Sequence, residues 1–403
     1  MIVLLGLSPW ARAHSDASDA IPESAGIRLA ADAAITSTGV RGQLPSTGLP
    51  GYLLRGDSGI DRRGTQIEHA VAQLGYRAND VLGAQLALGV HGSDPAHLEA
   101  AWLQARGDIG SLSWTLGAGR QRPSLGQVVT SAEHFDRFSA MPLARQAQTD
   151  GTWIDDGIEF SVSPHALGID WKVDVGLWAG RRFPGSDSSR PLPSLHAGAS
   201  VPSSVGRWVV DAFVARGQVS ARGSRIATTG LGHSHADPVC DARLDSVVCF
   251  DGNTILSGVS VRWRQPSAPL TITFAGLQRQ EAGSLTSRDG LVDYSGKTQG
   301  GWIEGVYSVN RTWDVGTRIE WLSARHQLIG DGASILAEQS GFSRYAPQNR
   351  YAAMAAYRIT DTSVLHIEAG RESAGVSSSG AAIAARFIAI RWVESWQRDI
   401  DRP

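Results

Sequence analysis

The chain has 403 residues, a formal net charge of −2, 42% hydrophobic residues and 19% charged ones. That near-neutral balance supplies no concentrated basic surface, which excludes nucleic acid as an expected partner. Glycine (46) and tryptophan (13) are plentiful and methionine (3) is scarce, which suits strands, tight turns and interfacial aromatic anchors better than a helical core.

The first residues read as a processed export signal over 1–13. Ile2-Val3-Leu4-Leu5-Gly6-Leu7 is apolar, and Ala11-Arg12-Ala13 is an A-x-A cleavage site before a polar segment, 14–26. No Lys or Arg precedes the apolar run, so the signal reads as truncated at its start. The competing reading is a buried N-terminal strand. Beyond Ala13 no apolar run approaches the ~18 residues that cross a bilayer as a helix.

From residue 27 to 393 the recurrent unit is a segment of about ten alternating residues that ends in a turn. Ile169-Asp170-Trp171-Lys172-Val173-Asp174-Val175 puts apolar side chains on one face and charges on the other. Trp313 to Trp321 repeats this, as do Ser260, Arg262 and Arg264 against Val259, Val261 and Trp263. Strands are expected to start near 27, 66, 81, 96, 111, 156, 168, 193, 206, 254, 269, 299, 311, 348, 362 and 381. Every second connection is a tight turn, among them Arg77-Ala78-Asn79-Asp80, Pro202-Ser203-Ser204, Asn310-Arg311 and Thr360-Asp361-Thr362. Most others are long, around 37–65, 121–155, 220–253, 282–298 and 327–347. Short turns on one side and long loops on the other are the asymmetry of a membrane-spanning barrel. The fold class expected is therefore all-β, an antiparallel transmembrane β-barrel of about sixteen strands, followed by a polar tail over 394–403.

Trp313 and Trp321 share parity and lie roughly 20 Å apart along the axis of a tilted barrel, close to the height of a lipid-facing band. Tyr351 and Tyr357 form a similar pair. The opposite face carries Asp170, Lys172, Asp174, Arg262, Arg264, Asp314, Arg318, Glu320, Arg358 and Glu368. Burying so many charges dry would cost several kcal/mol each, so these residues are expected to line a water-filled pore.

The third long connection reads Gly117-Ala118-Gly119-Arg120-Gln121-Arg122-Pro123-Ser124-Leu125-Gly126. It continues through Thr130-Ser131-Ala132-Glu133-His134-Phe135-Asp136-Arg137-Phe138 and Met141-Pro142-Leu143, and ends in Gly151-Thr152-Trp153-Ile154-Asp155. Over about residues 95–165 the chain resembles the phosphate-selective (O/P-type) porin family of Gram-negative outer membranes. That resemblance implies a third loop folded into the barrel, with His134, Asp136, Arg137 and Arg145 at the constriction, and assembly as a homotrimer. The chain departs from the family's ladder of inward arginines, because its inward Arg and Lys are matched by Asp and Glu.

Other motifs carry less. Gly56-Asp57-Ser58-Gly59 matches part of a serine-protease motif with no partner pattern. Ser363 and His366 differ in parity and face different sides of the wall, so no catalytic residue is assigned and an enzyme is not expected. Cys240 and Cys249 read as a disulfide in an oxidising compartment. His233, His235 and Asp237 beside them offer a metal-binding alternative.

The function these observations imply is passive diffusion of small hydrophilic or ionic solutes across the outer membrane, with outer-membrane lipid as surroundings and no cofactor. The alternatives are a non-porin barrel (an adhesin, a metal-capturing uptake channel or a rim enzyme) and an exported soluble all-β binding protein.

Overall fold

Alternation of apolar and polar residues at period two makes each segment a strand with one greasy and one polar face, and the strands pair in chain order until the sheet meets itself. The computed structural model describes residues 20–42, 44, 63–92, 95–132, 135–149, 153–166, 169–181, 183–184, 190–225, 240, 242, 247–265, 268–340, 342, 347–376 and 382–401. Sixteen antiparallel strands form one closed barrel: β1 Gly26–Gly42, β2 Gly64–Arg77, β3 Leu82–Val90, β4 His97–Ile109, β5 Leu112–Gln121, β6 Asp155–Ala166, β7 Ile169–Trp178, β8 Leu192–Ser203, β9 Gly206–Arg225, β10 Val247–Arg264, β11 Leu270–Ser287, β12 Gly290–Ser308, β13 Trp313–Ile329, β14 Gln348–Arg358, β15 Ser363–Val376 and β16 Ala382–Asp401. Closure runs from Gly26 opposite Asp401 to Gly42 opposite Ala385.

The short connections are built by side chains that substitute for the ladder. Asn79 Oδ1 accepts from the N–H groups of Val81 (2.9 Å) and Leu82 (2.8 Å). Asn310 Oδ1 does the same for Thr312 (2.8 Å) and Trp313 (2.9 Å). These are Asx turns, which reverse the chain without unsatisfied donors.

Three boundaries differ from the sequence expectation. Residues 282–298 are no long loop: β11 and β12 continue upward and reverse between Ser287 and Gly290. Likewise β10 begins at Val247, well before 254. The span 394–401 is strand and not a tail, since β16 pairs with β1 to its end and Arg28 Nε meets Asp399 Oδ1 at 2.7 Å. The cause is the same in each case. Alternating hydrophobicity marks only the part of a strand that touches lipid, whereas the hydrogen-bond ladder extends beyond it. β9 to β13 hold 20, 18, 18, 19 and 17 residues, against the ~9–11 that cross a bilayer.

Outward side chains form the lipid-facing band. Leu103, Ile158, Val175, Leu177, Val259, Ile303, Ile319 and Ile388 are all exposed, as befits a surface facing hydrocarbon rather than water. Near the short-turn end stand Trp171, Trp208, Trp263, Tyr307, Trp313 and Tyr357. Trp313 and Tyr357 pack with ring centroids 4.8 Å apart, and Trp208 and Trp263 6.1 Å apart. Trp321 stacks on Phe274 higher up, 6.2 Å away. No helix among the described residues is long and apolar enough to cross a membrane; the strands do so. At the short-turn end residues 20–23 tuck against β2 to β4. Ala20 and Ile21 are buried, Arg77 donates to the Pro22 carbonyl, and Arg106 donates to the Glu23 carbonyl (2.6 Å).

Ile303 sits on the outer face between Phe274 and Ile319, four residues from Tyr307, which is roughly 10 Å along the axis and near the middle of the band. Ile303→Arg is therefore expected to destabilise the barrel by about 2–4 kcal/mol. Denaturant unfolding in phosphatidylcholine bilayers measures this, and an unchanged unfolding midpoint would refute the lipid-facing assignment.

Candidate functional site

Between β5 and β6 the chain turns inward. Its two short helices, α1 (Gln127–Ser131) and α2 (Leu143–Thr149), pack inside the barrel against the walls, α1 on β10 and β11 and α2 on β11 to β13. Gly126 opens the inward run with φ +89, and a Cβ there would stand 2.5 Å from Asp211 Cβ. Glycine is required both by the left-handed backbone and by the close approach. Val128 and Val129 bury against Trp102, Trp153, Trp178 and Leu277 in one apolar cluster, while Phe138 and Ala140 bury against Met354, Ala356 and Phe387 in another.

Polar wall residues hold the loop by its backbone. Glu368 accepts from Ser139 N–H (2.5 Å) and Oγ–H (2.6 Å), and Glu320 accepts from Leu143 N–H (2.7 Å). Arg318 donates to the Ala140 carbonyl, Arg350 to Met141 O (2.9 Å), Arg279 to Ala147 O (2.9 Å) and Arg391 to Asp136 O. His366 Nδ1 donates to Arg137 O (2.9 Å). At the loop's start Ser124 gives its N–H (3.1 Å) and hydroxyl (2.9 Å) to Glu159. The arginines are tied in turn to carboxylates: Arg318 to Glu320 (2.8 Å), Arg350 to Glu320 (3.3 Å) and Glu372 (2.8 Å), Arg279 to Glu281 (3.5 Å) and Arg391 to Glu68 (3.8 Å). Charge-assisted bonds of this kind offset the desolvation that burial imposes.

The expected constriction residues separate. Asp136 lies 3.5 Å from Arg318 Nη1, and Arg137 lies 3.9 Å from Glu304; both side chains keep some exposure. Arg145 is different. It is 2% exposed and donates to the carbonyls of Val129 and Thr130 (3.1 Å), tying α2 to the end of α1. It holds the loop's own shape and does not edge a passage. His134 lies outside the described residues, as do His233, His235 and Asp237.

The expected lining residues also divide. Asp174, Asp314, Arg318, Glu320 and Glu368 are buried, which corrects the expectation that all of them face pore water. The folded loop covers Arg318, Glu320 and Glu368, and Asp174 is enclosed by Ser161, Lys172 and His196 of the wall. Lys172 is half-exposed and meets Asp174 Oδ1 at 2.9 Å. Asp174 also meets His196 Nδ1 (2.7 Å), whose Nε2 reaches Asp211 (3.0 Å), so one imidazole bridges two carboxylates. Arg262 donates to Gln127 Oε1 (3.3 Å) and Ser131 Oγ (3.2 Å). Asp170 and Arg264 are exposed, and Arg358 partly so, at the short-turn end of their strands. Ser363 and His366 have different partners: Ser363 Oγ accepts from Trp392 Nε1 (2.6 Å), whereas His366 turns to the loop. A disulfide joins Cys240 and Cys249, with Cα atoms 5.6 Å apart.

Sequence reading passed over Arg279, Arg350, Glu372 and Arg391; Arg350 shares strand parity with Arg358 and Glu372 with Glu368, so the same alternation could have found those two, whereas no residue of β11 or β16 had been selected. It also passed over His69, His91, His97 and Glu99. These come from two strands, β2 and β4, and the connection after β3, and only the barrel brings them together. Among the described residues His69, His91 and Glu99 offer ligand atoms within 4.8 Å of one another.

No protein-family model matches the chain, and no curated protein matches its sequence. Solved structures match the fold. OmpT, an outer membrane protein of Vibrio cholerae, in a loop-deleted form, aligns with a TM-score of 0.55 at 12% identity over 92% of this chain and 99% of that one. The outer membrane channel DcaP of Acinetobacter baumannii gives 0.56 at 12% identity, covering 93% and 98%. OprB of Pseudomonas putida gives 0.51 at 11% identity, covering 92% and 94%. At these identities the likeness is one of fold: a closed barrel of the outer-membrane channel type.

Removing the Glu368 carboxylate (Glu368→Ala) leaves two buried donors of Ser139 without their acceptor, a cost of about 1–3 kcal/mol. The expected result is faster amide hydrogen exchange over 135–147 with β14 and β15 unchanged. Equal protection in both proteins would show that Glu368 does not hold the loop.

Proposed function

We propose that this barrel is an outer-membrane diffusion channel whose passage is set by the inward-folded loop, and that it acts without chemistry. The observation that carries this reading is the inward fold of the described residues 122–132, 135–149 and 153–154 and their multiple attachment to β10–β16, since a segment fastened across a barrel of this size divides the lumen and sets its clear width. Arg137, Arg122 and Lys172, with Asp136, are charged groups of the loop and facing walls that keep exposure. They would act on passing solutes by size and field.

The likeness of residues 95–165 to phosphate-selective porins supports the plan of the loop. Preference for phosphate is a separate matter and forms no part of this proposal. Selectivity for one ion sign needs a run of that sign, and the wall arginines at 222, 318 and 350 each have a carboxylate partner. A homotrimer is the assembly proposed by analogy with the V. cholerae protein, of which a trimer form is known. The soluble binding-protein alternative is disfavoured by the outward apolar band, and the catalytic alternative by the divergent partners of Ser363 and His366.

Refolded protein in a planar bilayer is expected to give discrete conductance steps, with weak ion selectivity under a salt gradient and no block by inorganic phosphate. Replacing 127–149 by a short Gly-Ser linker should raise the step size severalfold. Absence of steps from both proteins, each migrating as a folded heat-modifiable barrel, would overturn the channel reading. Strong anion selectivity with phosphate block would restore the finer resemblance.

A further inference from the structure

Across β1 from the wall that holds the loop, four ligand-type side chains meet around a single oxygen. His69 is on β2, His91 follows β3, and His97 and Glu99 begin β4. The Nε2 atoms of the three imidazoles lie 2.6, 3.6 and 3.5 Å from Glu99 Oε1. His69 and His91 stack with centroids 4.1 Å apart, and His91 and His97 with centroids 5.0 Å apart.

We propose that His69, His91, His97 and Glu99 form a binding site for a borderline first-row divalent cation of the Zn²⁺ class inside the barrel.

Three arguments lead there. The first is distance. A separation of 3.5–3.6 Å is long for a hydrogen bond, yet it suits two donors of one tetrahedral metal. Metal–ligand bonds of about 2.0–2.1 Å place donors about 3.3 Å apart. The His69–Glu99 pair would open by a few tenths of an ångström, and the ligand atoms of His69, His91 and Glu99, now within 4.8 Å of one another, would draw together around the ion, with His97 moving in as the fourth donor. The second is donor chemistry. Imidazoles with one carboxylate favour zinc, nickel or copper over the hard cations magnesium and calcium, which take oxygen cages. The third is the space kept for the carboxylate. A Cβ on Gly89 would stand 2.1 Å from Glu99 Oε1, so the close approach of the β3 backbone to Glu99 depends on glycine at that position.

The surroundings complete a second layer. Arg122, at the start of the inward loop, lies 3.5 Å from the other oxygen, Glu99 Oε2, which orients Oε1 toward the imidazoles. Phe135 of the loop packs on His69 at 5.1 Å and closes the site from the lumen. His69, His91 and Glu99 are buried, whereas the side chain of His97 keeps 17% exposure and offers an approach for the ion. The site is independent of conduction and stands whether or not the barrel passes solutes.

The test uses the refolded full-length chain in detergent, stripped by a chelator and titrated with Zn²⁺ by calorimetry and with Co²⁺ by visible absorption. One equivalent per chain is expected, with Co²⁺ giving the intense d–d bands of a four-coordinate site. His69→Ala, Glu99→Gln and Gly89→Ala should each weaken binding by roughly tenfold or more. The double variant His233→Ala/His235→Ala should bind as the parent does. Heat-modifiable migration verifies folding of each variant, and His97→Ala, at the exposed edge, provides a further ligand deletion if a buried one fails that check. No binding by folded parent protein would overturn the proposal. So would binding that follows His233 and His235 and ignores His69, Glu99 and Gly89.

Discussion

A bilayer core offers no water, so each backbone N–H and C=O that crosses it must find its partner within the protein. For a sheet this is possible only if the first strand pairs with the last, and the seventeen register pairs between β1 and β16 are that closure. Everything else about the molecule is subordinate to it. It forces the polar residues 394–401 to be strand, it sets the alternation of outer and inner faces, and it creates an enclosed interior that the remaining sequence must occupy or leave open.

The interior is organised by polar groups that would be costly alone. Arg318, Glu320, Arg350 and Glu372 form a continuous buried chain, and several members reach past their partners to loop carbonyls or amides. Breaking one member of such a chain leaves an uncompensated charge, which costs far more than the intact pair contributes. The chain therefore acts less as a source of stability than as a device for position. It permits one placement of residues 136–148 and penalises the others. Apolar packing of Phe138, Val128 and Val129 supplies the less directional remainder.

How far the sequence disclosed this follows from which signals are local. Parity along a strand is local, so the strands, the short turns and the inward set around Arg318, Glu320 and Glu368 were legible. Covering is not local. Nothing in the alternation of β13 or β15 states that a segment from between β5 and β6 will lie over those strands, and so residues expected to face water turned out buried beneath the loop. Arg145 illustrates the same limit, because a charged residue within a loop reads as a surface group until its two carbonyl acceptors are seen. The histidine cluster is the extreme case. His69, His91, His97 and Glu99 fit no ligand spacing along the chain, and only the register of β2, β3 and β4 makes them neighbours.

Two sides of the lumen thus differ in kind. Along β10 to β16 the wall contributes long arginines and glutamates that reach inward and grip a backbone. Along β2 to β4 it contributes short, rigid imidazoles around one carboxylate, with glycine opposite to leave room. Arg122 and Phe135, from the first half of the inward loop, touch this second group, while residues 136–148 are fastened to the first. The loop consequently meets two walls of unlike chemistry: paired arginines and glutamates on one, and three imidazoles around one carboxylate on the other. Through Phe135 and Arg122 the imidazole side touches the same inward segment that the ion-paired side fastens at 136–148.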